Sequence, residues 1–366
     1  MKKTLALVVS LALVFAVAAF GVEAADPVAS VDGTNYDTLA EAVADAQAPA
    51  TGKTVTLLKD AAGCGIIVPS GSSFTLDFNG HTYTVNEDPL AGSSGTKTQA
   101  FQLLKDSTLI FKNGAIVGDH ADIKMLIQNY SNLTLENMTL DATKGTNALS
   151  GQYVLSNNSG TVNITGTTSI TAKGTGVAFD VYGGFGSYIA PTVNVNTTGT
   201  IAGKIEVAKG GAGATGQNTP TLNITAGTIN GSLAVSTGLE GDVFVSGGNY
   251  TEDVSGFVVA GKVQMVRSGG SGYKVGDPSA AAASAAVNGN TIYYENVADA
   301  LAANDDVELG ADAAGTTIQI PAGKTVTSNG VTYPAGTYTV SAGNVLTVKA
   351  SDPTPARTNP STGVSF

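Results

Sequence analysis

The stretch Val162-Asn-Ile-Thr-Gly-Thr-Thr-Ser-Ile-Thr171 contains two short runs in which apolar residues alternate with Thr, Asn and Ser. The pattern returns in Leu222-Asn-Ile-Thr-Ala-Gly-Thr-Ile-Asn230. Alternation with a period of two is typical of β-strands buried on one face. Related runs begin at residues 109, 133, 162, 193, 222 and 243, so successive starts are separated by 24, 29, 31, 29 and 21 residues.

This spacing predicts an all-β solenoid of stacked coils, each with two or three short strands. One coil cannot bury its inward face alone, so neighbouring coils form one continuous core. An array of immunoglobulin-like sandwiches is the alternative, because it also has short strands. Sandwich strands usually recur roughly every 8–12 residues around a core Trp. The longer spacing and the absence of Trp favour the solenoid.

The composition excludes several classes of function. The chain has 366 residues, 45 Thr and 46 Gly, and 18 basic against 29 acidic residues, for a net charge of -11. Charged residues make up 13%, against about 25% in an average protein. An acidic chain with two arginines predicts no nucleic-acid partner. A single Cys excludes an intrachain disulfide framework and a Cys-rich zinc site, and we expect no cofactor or metal.

Residues 1–24 have the pattern of a secretory signal peptide. Lys2 and Lys3 precede an apolar stretch of 16 residues from Leu5 to Phe20, and the expected cleavage lies between Ala24 and Ala25. A membrane span needs about 20 apolar residues, so we expect no span in the mature chain. The sequence therefore predicts a secreted or cell-wall-associated protein.

The tail at 351–366 is rich in Pro and Thr, and the prolines at 353, 355 and 360 disfavour helix and sheet. Its motif resembles the Asn-Pro-x-Thr-Gly variant of Gram-positive sortase signals and comprises Asn359, Pro360, Ser361, Thr362 and Gly363. Sortase signals continue into an apolar helix and a basic tail, whereas three residues follow here. Anchoring to the wall, release, and a chance pentapeptide remain alternatives.

A helix is predicted at about 38–47, before the first coil. Thr38 as N-cap and Glu41 form a capping box. The apolar residues recur at helical spacing on one face, at Leu39, Ala42, Val43 and Ala46. Such a helix covers the open end of a solenoid core, whose strand edges otherwise promote aggregation.

The same unit recurs near the C-terminus. Tyr294–Leu301 matches Tyr36–Val43 at an offset of 258 residues. At an offset of 252, Val55, Asp60, Pro69, Gly71 and Thr75 recur as Val307, Asp312, Pro321, Gly323 and Thr327. The sequence therefore predicts a parallel β-helix domain at 25–277, a Ser/Ala linker with nothing to bury at 278–286, and a small β-rich module at 287–350.

Three motifs carry a family resemblance: the Tyr-x-Thr-Leu-x-x-Ala-Val phrase of Tyr36–Val43, the strand Thr54–Asp60, and Leu76–Thr84. They resemble secreted, pectate-lyase-like right-handed parallel β-helix surface proteins of Firmicutes, a group with the pectin lyase fold. The resemblance covers residues 31–275 and again 287–348. It implies a right-handed helix and a superfamily of polysaccharide lyases, glycoside hydrolases and adhesive surface proteins. The motifs themselves describe coil geometry and are not catalytic.

A search for catalytic residues assigns none. Arg267 has no adjacent Asp cluster, and the hydrolase motifs of this superfamily are absent from the coils. The best polar cluster, Asp119-His120-Ala-Asp122, is interpreted as a solvated turn. His81 follows Asn-Gly and is predicted in a turn, and Cys64 lies between two glycines without a nearby His. These observations favour binding over catalysis.

The candidate ligand-binding residues are Asp180, Tyr182, Phe185 and Tyr188, in a Gly-rich stretch. Three aromatic rings on a loop suggest a flat platform on which sugar rings stack, while the carboxylate accepts their hydroxyls. The alternative is that Tyr182 and Phe185 pack onto the coil and close it.

Three functions therefore remain open. The first is an adhesin or scaffold that binds a glycan or a host or other extracellular protein. The second is a polysaccharide-active lyase or glycoside hydrolase. The third is a self-associating subunit of an extracellular fibre, because cap-like units occur near both ends.

Overall fold

The structure is a computed structural model that describes residues 26–47, 49–93, 96–144, 153–210 and 217–349. The predicted signal peptide, the cleavage site and the sortase-like motif lie outside the described residues. Strands dominate the described chain, as predicted for a β protein. Neither of the two α-helices in the described ranges is long and apolar enough to cross a membrane.

The elements follow one another along the described chain as many short strands with two α-helices. The first part contains β1 (Ala29–Val31), β2 (Thr34–Tyr36), α1 (Leu39–Ala46), β3 (Thr51–Leu57), β4 (Ala61–Cys64), β5 (Ile66–Val68), β6 (Ser73–Asp77), β7 (Thr82–Glu87), β8 (Gln99–Leu103), β9 (Thr108–Gly118), β10 (Met125–Asn129), β11 (Asn132–Asp141), β12 (Tyr153–Asn157), β13 (Thr161–Gly166), β14 (Ser169–Thr171), β15 (Val177–Tyr182), β16 (Thr192–Ala202), β17 (Lys204–Ala208), β18 (Thr221–Asn230), β19 (Leu233–Val235), β20 (Val243–Val245), β21 (Gly248–Tyr250), β22 (Val263–Val266) and β23 (Tyr273–Gly276). The second part contains β24 (Ala283–Val287), β25 (Asn290–Tyr294), α2 (Val297–Ala303), β26 (Asp306–Leu309), β27 (Thr317–Ile320), β28 (Thr325–Ser328), β29 (Val331–Tyr333), β30 (Gly336–Ser341) and β31 (Val345–Val348). Short 3-10 turns span Glu240–Asp242, Ser255–Phe257, Pro278–Ala280 and Ala311–Ala313.

Successive coils contribute parallel strands to two sheets. Sheet A has 21 strands among the described residues, and sheet B consists of β5, β8, β10, β12, β15, β17 and β19. The chain alternates between the sheets, so each coil adds a segment to both. The residues at which the sequence runs begin are register partners from coil to coil in sheet A: Leu109, Leu133, Val162, Val193, Leu222 and Val243. This parallel pairing is consistent with a β-solenoid and excludes the sandwich alternative.

The core lies between the two sheets. Every residue of the sheet A column just named is at most 3% exposed. The facing column of sheet B contains Phe101, Ile127, Leu155, Phe179 and Ile205, which are fully buried. Side chains alternate between the two faces of a strand. The residues that precede and follow a core residue on the same strand therefore point outward. One strand thus supplies both the core and the outer surface.

The helix α1 covers the first coil, as predicted. The Thr38 hydroxyl accepts from the Glu41 backbone N–H, and the Glu41 carboxylate accepts from the Thr38 backbone N–H, both at 3.2 Å. The buried face is the expected one, with Leu39, Ala42, Val43 and Ala46. The capping box therefore fixes where the helix begins, and its apolar stripe fixes which side faces the core.

The predicted linker at 278–286 is wrong, because this segment is part of the repeated unit. Strand β24 pairs antiparallel with both β25 and β26, as β1 pairs with β2 and β3. Ala283 and Ala285 are almost completely buried. The neighbouring chain approaches closely enough to require glycine at position 310, because a Cβ added to Gly310 would lie 2.2 Å from the Ala281 carbonyl oxygen.

The parallel stacking ends before residue 277. Strands β21, β22 and β23 pair through antiparallel ladders, and β22 then pairs in parallel with β25 of the second unit. Two separate clusters of buried apolar residues lie on either side of this junction, while sheet A runs through both. The division into two domains remains a prediction.

Asparagine ladders join neighbouring coils. On sheet A, Asn163, Asn194 and Asn223 are linked by amide hydrogen bonds of 2.9 Å and are half-buried. On sheet B, Asn129 is fully buried and donates to the Asn157 side-chain oxygen at 2.8 Å. The Asn129 amide also donates to the Ser131 carbonyl oxygen, and its side-chain oxygen accepts from the backbone N–H and the hydroxyl of Ser131.

We expect Asn129→Ala to destabilise the protein by roughly 2–4 kcal/mol, because it leaves several buried polar groups without partners. Asn194→Ala removes a ladder of the same chemistry at a half-exposed position, where water replaces the lost bonds, and should cost less than about 1 kcal/mol. Urea unfolding of both variants measures the difference. Equal losses would show that burial does not control the energy of the ladders.

Candidate functional site

The predicted aromatic residues lie at one end of sheet B. Tyr182 ends β15, and Phe185 and Tyr188 lie in the loop that follows. The rings of Tyr182 and Phe185 are 5.6 Å apart at an angle of 77°, and those of Phe185 and Tyr188 are 5.9 Å apart at 72°. The prediction of one flat platform is therefore wrong, because neighbouring rings meet edge to face, the arrangement that aromatic quadrupoles favour.

A fourth ring, Tyr130, completes this cluster and was not predicted. It follows the last residue of β10 and lies 5.8 Å from the Phe185 ring and 5.4 Å from the Tyr188 ring. Asn129 is the register partner of Asn157, which is the register partner of Val181. Tyr130 and Tyr182, the residues that follow Asn129 and Val181, therefore lie on the same outer row. A search for aromatic residues at coil spacing would have identified it.

The loop that carries these rings is held close to the coils. The Asn218 side chain donates to the carbonyl oxygens of Phe185 and Tyr188, at 3.0 and 2.6 Å. The Ser159 hydroxyl donates to the Ile189 carbonyl at 3.0 Å. Gly183 permits the approach, because an added Cβ would lie 2.0 Å from the Asn218 carbonyl oxygen. Phe185 remains 37% exposed, so the cluster is fixed in place yet open to a ligand.

Asp180 lies in an outer polar column of sheet B, two residues before Tyr182 on β15. Its register partners are Ser156 and Glu206, and the column continues to Gln128 and Gln102. The Asp180 carboxylate accepts from the Asn157 backbone N–H at 2.6 Å and from the Ser156 hydroxyl at 3.3 Å. The two glutamines are joined by a 2.9 Å amide hydrogen bond.

Burial raises the pKa of Asp180 from 3.8 to about 8, and the neighbouring Glu206 adds to the rise. The Asn157 N–H and the Ser156 hydroxyl act in the opposite direction without reversing it. Asp180 is only 7% exposed, which explains why desolvation dominates. At neutral pH this side chain is mostly a neutral acid and can donate a proton.

Glu206, Tyr153 and Lys204 form the second part of the site. Lys204 pairs with the Glu206 carboxylate, and the Tyr153 hydroxyl donates to it at 3.3 Å. Burial, then the charge of Glu206, raises the pKa of Tyr153 to about 12, so the phenol stays protonated. No sequence motif predicts this group, which forms only when β12 and β17 stack on either side of β15.

A groove of about 610 Å³ adjoins these three residues. Its other wall contains small residues at the turns from sheet A to sheet B, including Gly174 and Gly203. An added Cβ on Gly203 would lie 2.7 Å from the Ala172 Cβ. Gly203 therefore lets neighbouring coils approach closely, and both glycines leave the groove free of side chains at their positions.

The other polar candidates do not form a site. Asp119 and Asp122 are exposed in a turn, where the His120 ring nitrogen accepts from the Asp122 N–H at 3.2 Å. His81 closes the turn after Phe78, as predicted. Within the described ranges, no group of three or more His, Cys, Asp and Glu side chains is placed to hold a metal ion.

Comparisons with known proteins do not identify a family. No protein-family model, curated protein or solved structure matches the chain. The pectate-lyase-like resemblance therefore rests on the quoted motifs and on the parallel strands alone.

The raised pKa of Asp180 predicts an unusual pH dependence of stability. Between about pH 4 and pH 8 the folded state keeps a proton that the unfolded chain releases, so stability should fall as the pH rises through this window. One such group contributes at most roughly 1.4 kcal/mol per pH unit. Asp180→Asn removes the titration and should flatten the profile.

Urea unfolding from about pH 5 to about pH 9 measures both profiles. Asp119→Asn, at an exposed turn, is the matched control and should leave the slope unchanged. Identical slopes for the wild type and Asp180→Asn would contradict the raised pKa.

Proposed function

We propose that this chain is an extracellular, right-handed parallel β-helix protein that binds glycans on the outer face of sheet B. One observation carries the proposal: aromatic rings, a neutral buried acid and a carboxylate beside a groove occupy one continuous face. The rings of Tyr130 and Tyr182 lie at one end of the face, and Glu206 lies at the other. Asp180 lies between them.

The chemistry of this face suits sugars. Aromatic rings offer apolar surface to the C–H faces of a sugar ring, and binding sites of this kind combine apolar walls with a few placed polar groups. Glu206 accepts hydroxyl protons, while Tyr153 and neutral Asp180 can donate. An exposed phenylalanine, Phe185, supplies the uncovered ring surface.

The organisation of the chain supports an extended ligand. Parallel strands repeat about every 4.8 Å along the stack, so neighbouring coils present similar groups to successive parts of a polymer. The predicted signal peptide and the sortase-like motif favour display outside the cell, with release or wall attachment as alternatives. Weak contacts on many displayed copies add through effective concentration.

We expect Phe185→Ala and Tyr188→Ala each to weaken glycan binding by about tenfold, the equivalent of about 1.4 kcal/mol. A glycan array identifies the ligand, and calorimetry on the bound hits gives the affinities. Tyr333→Ala, which removes a ring of an edge-to-face pair in the second unit, is the control. Binding that is equally weak in all three variants, or that is found only with protein ligands, would contradict the proposal.

A second candidate function, glycoside hydrolysis, is favoured by the pair Asp180 and Glu206. The two residues are register partners on adjacent strands, about 4.8 Å apart at the backbone. Retaining glycosidases hold two carboxyl groups about 5–5.5 Å apart, one protonated and one ionised. In this mechanism Asp180 protonates the leaving oxygen and Glu206 attacks the anomeric carbon, after which water releases the sugar.

Release of reducing sugar from pectin, xylan or the array hits would establish this second function. We expect Asp180→Asn and Glu206→Gln each to lower any such rate by at least about a hundredfold. Glu308→Gln, at an exposed strand position of the second unit, is the matched control. Binding without product release would leave the first function alone.

A further inference from the structure

The two cap units of this chain have the same backbone pairing. In the first, Ala29 faces Tyr36 across one ladder and Leu57 across the other. In the second, Ala283 faces Tyr294 and Leu309 in the same way. Each unit therefore consists of a hairpin, a helix and a returning strand in one arrangement, and its outermost strand is β2 or β25.

The outer edge of β25 is covered by a strand of the same chain. β22 pairs with it in parallel, with Met265 opposite Tyr293 and Val266 opposite Tyr294. The Glu295 backbone N–H donates to the Val266 carbonyl at 3.0 Å. This cap is thus joined to the preceding coils through sheet A.

Acidic residues beside the covered edge accept hydrogen bonds from the hairpin formed by β22 and β23. Glu295 accepts from the Ser268 N–H at 3.1 Å and pairs with Lys274 at 3.0 Å. Asp299 accepts from the Gly269 N–H at 2.8 Å. These contacts show which chemistry a cap edge recognises: an open strand edge flanked by N–H donors and a cation.

The first cap offers the same edge uncovered. Within the described residues, β2 pairs with β1 alone. Asp37 and Glu41 occupy the positions of Glu295 and Asp299, and both are exposed. Tyr36 is half-buried where Tyr294 is 5% exposed. The repeat has kept the docking surface without a docked strand.

The opposite end of the molecule carries the complementary surface. β29 is the last strand of sheet A and pairs with β28 alone among the described residues. Val331 of β29 is 53% exposed. In β31 of the same unit, Val345 and Val348 are 51% and 76% exposed, and Lys349 follows them and is also exposed. The end therefore offers an open edge, apolar side chains and a cation.

We infer that the protein associates head to tail, the β2 edge of one copy pairing with the β29 edge of the next. The contact continues sheet A from copy to copy, as the β22–β25 junction continues it within one chain. Because the two surfaces differ, the contact is heterologous and generates open chains rather than a closed dimer. This inference is independent of the glycan-binding proposal.

The test uses the secreted full-length protein with one variant for each end. In the β1–β2 hairpin, Val31 and Thr34 close the turn, so the ladder alternation points the Asn35 N–H away from β1. Asn35→Pro removes this donor, and proline is tolerated at strand edges. Asn35→Ala keeps the donor and is the matched control. Val331→Lys places a charge at the other end.

Sedimentation over a range of protein concentrations should show chains of increasing length for the wild type and Asn35→Ala. Asn35→Pro alone and Val331→Lys alone should remain monomeric, whereas their equimolar mixture should stop at dimers, because each copy keeps one working end. Circular dichroism checks that both variants fold. A monomeric wild type, oligomers that survive Asn35→Pro, or a mixture that stays monomeric would overturn the inference.

Discussion

The register of the parallel strands is the constraint on which this structure depends. A shift by one residue would turn every inward side chain to the outer face, because side chains alternate along each strand. Fully buried columns such as Phe101 to Ile205 fix that register, because a shift would expose their side chains and lose the apolar contacts between them. The outer columns are fixed at the same time, so the core also positions Asp180 beside Glu206.

Much of the fold follows from local patterns in the sequence. The starts of the alternating runs predicted the register partners of sheet A, and Thr38 with Glu41 predicted the start of α1. The strand β24 was missed, because a run of Ala and Ser has no apolar alternation. A signal that was available is the match of Ala283-Ser284-Ala285 to Ala29-Ser30-Val31, which extends the repeat by one strand.

The candidate site was predictable only in part. Asp180, Tyr182 and the two loop rings Phe185 and Tyr188 lie close together in sequence, so their type and spacing were visible. Tyr130, Tyr153 and Glu206 join them from other coils, and their distance depends on how many residues each coil uses for its turns. Burial is likewise a property of the assembled face, and for that reason the neutral state of Asp180 could not be predicted from composition.

The unequal lengths of the coils have an evolutionary consequence. The columns of sheet A stay in register although coil lengths differ by as many as ten residues, from 31 between Val162 and Val193 to 21 between Leu222 and Val243. Bulges take up part of the difference, between Val177 and Phe179 in β15 and between Val195 and Thr200 in β16, and the segments between the strands take up the rest. A segment such as 183–190 can thus lengthen, shorten or change its sequence while the stack persists. Diversification of what the surface recognises is therefore uncoupled from the inheritance of the fold.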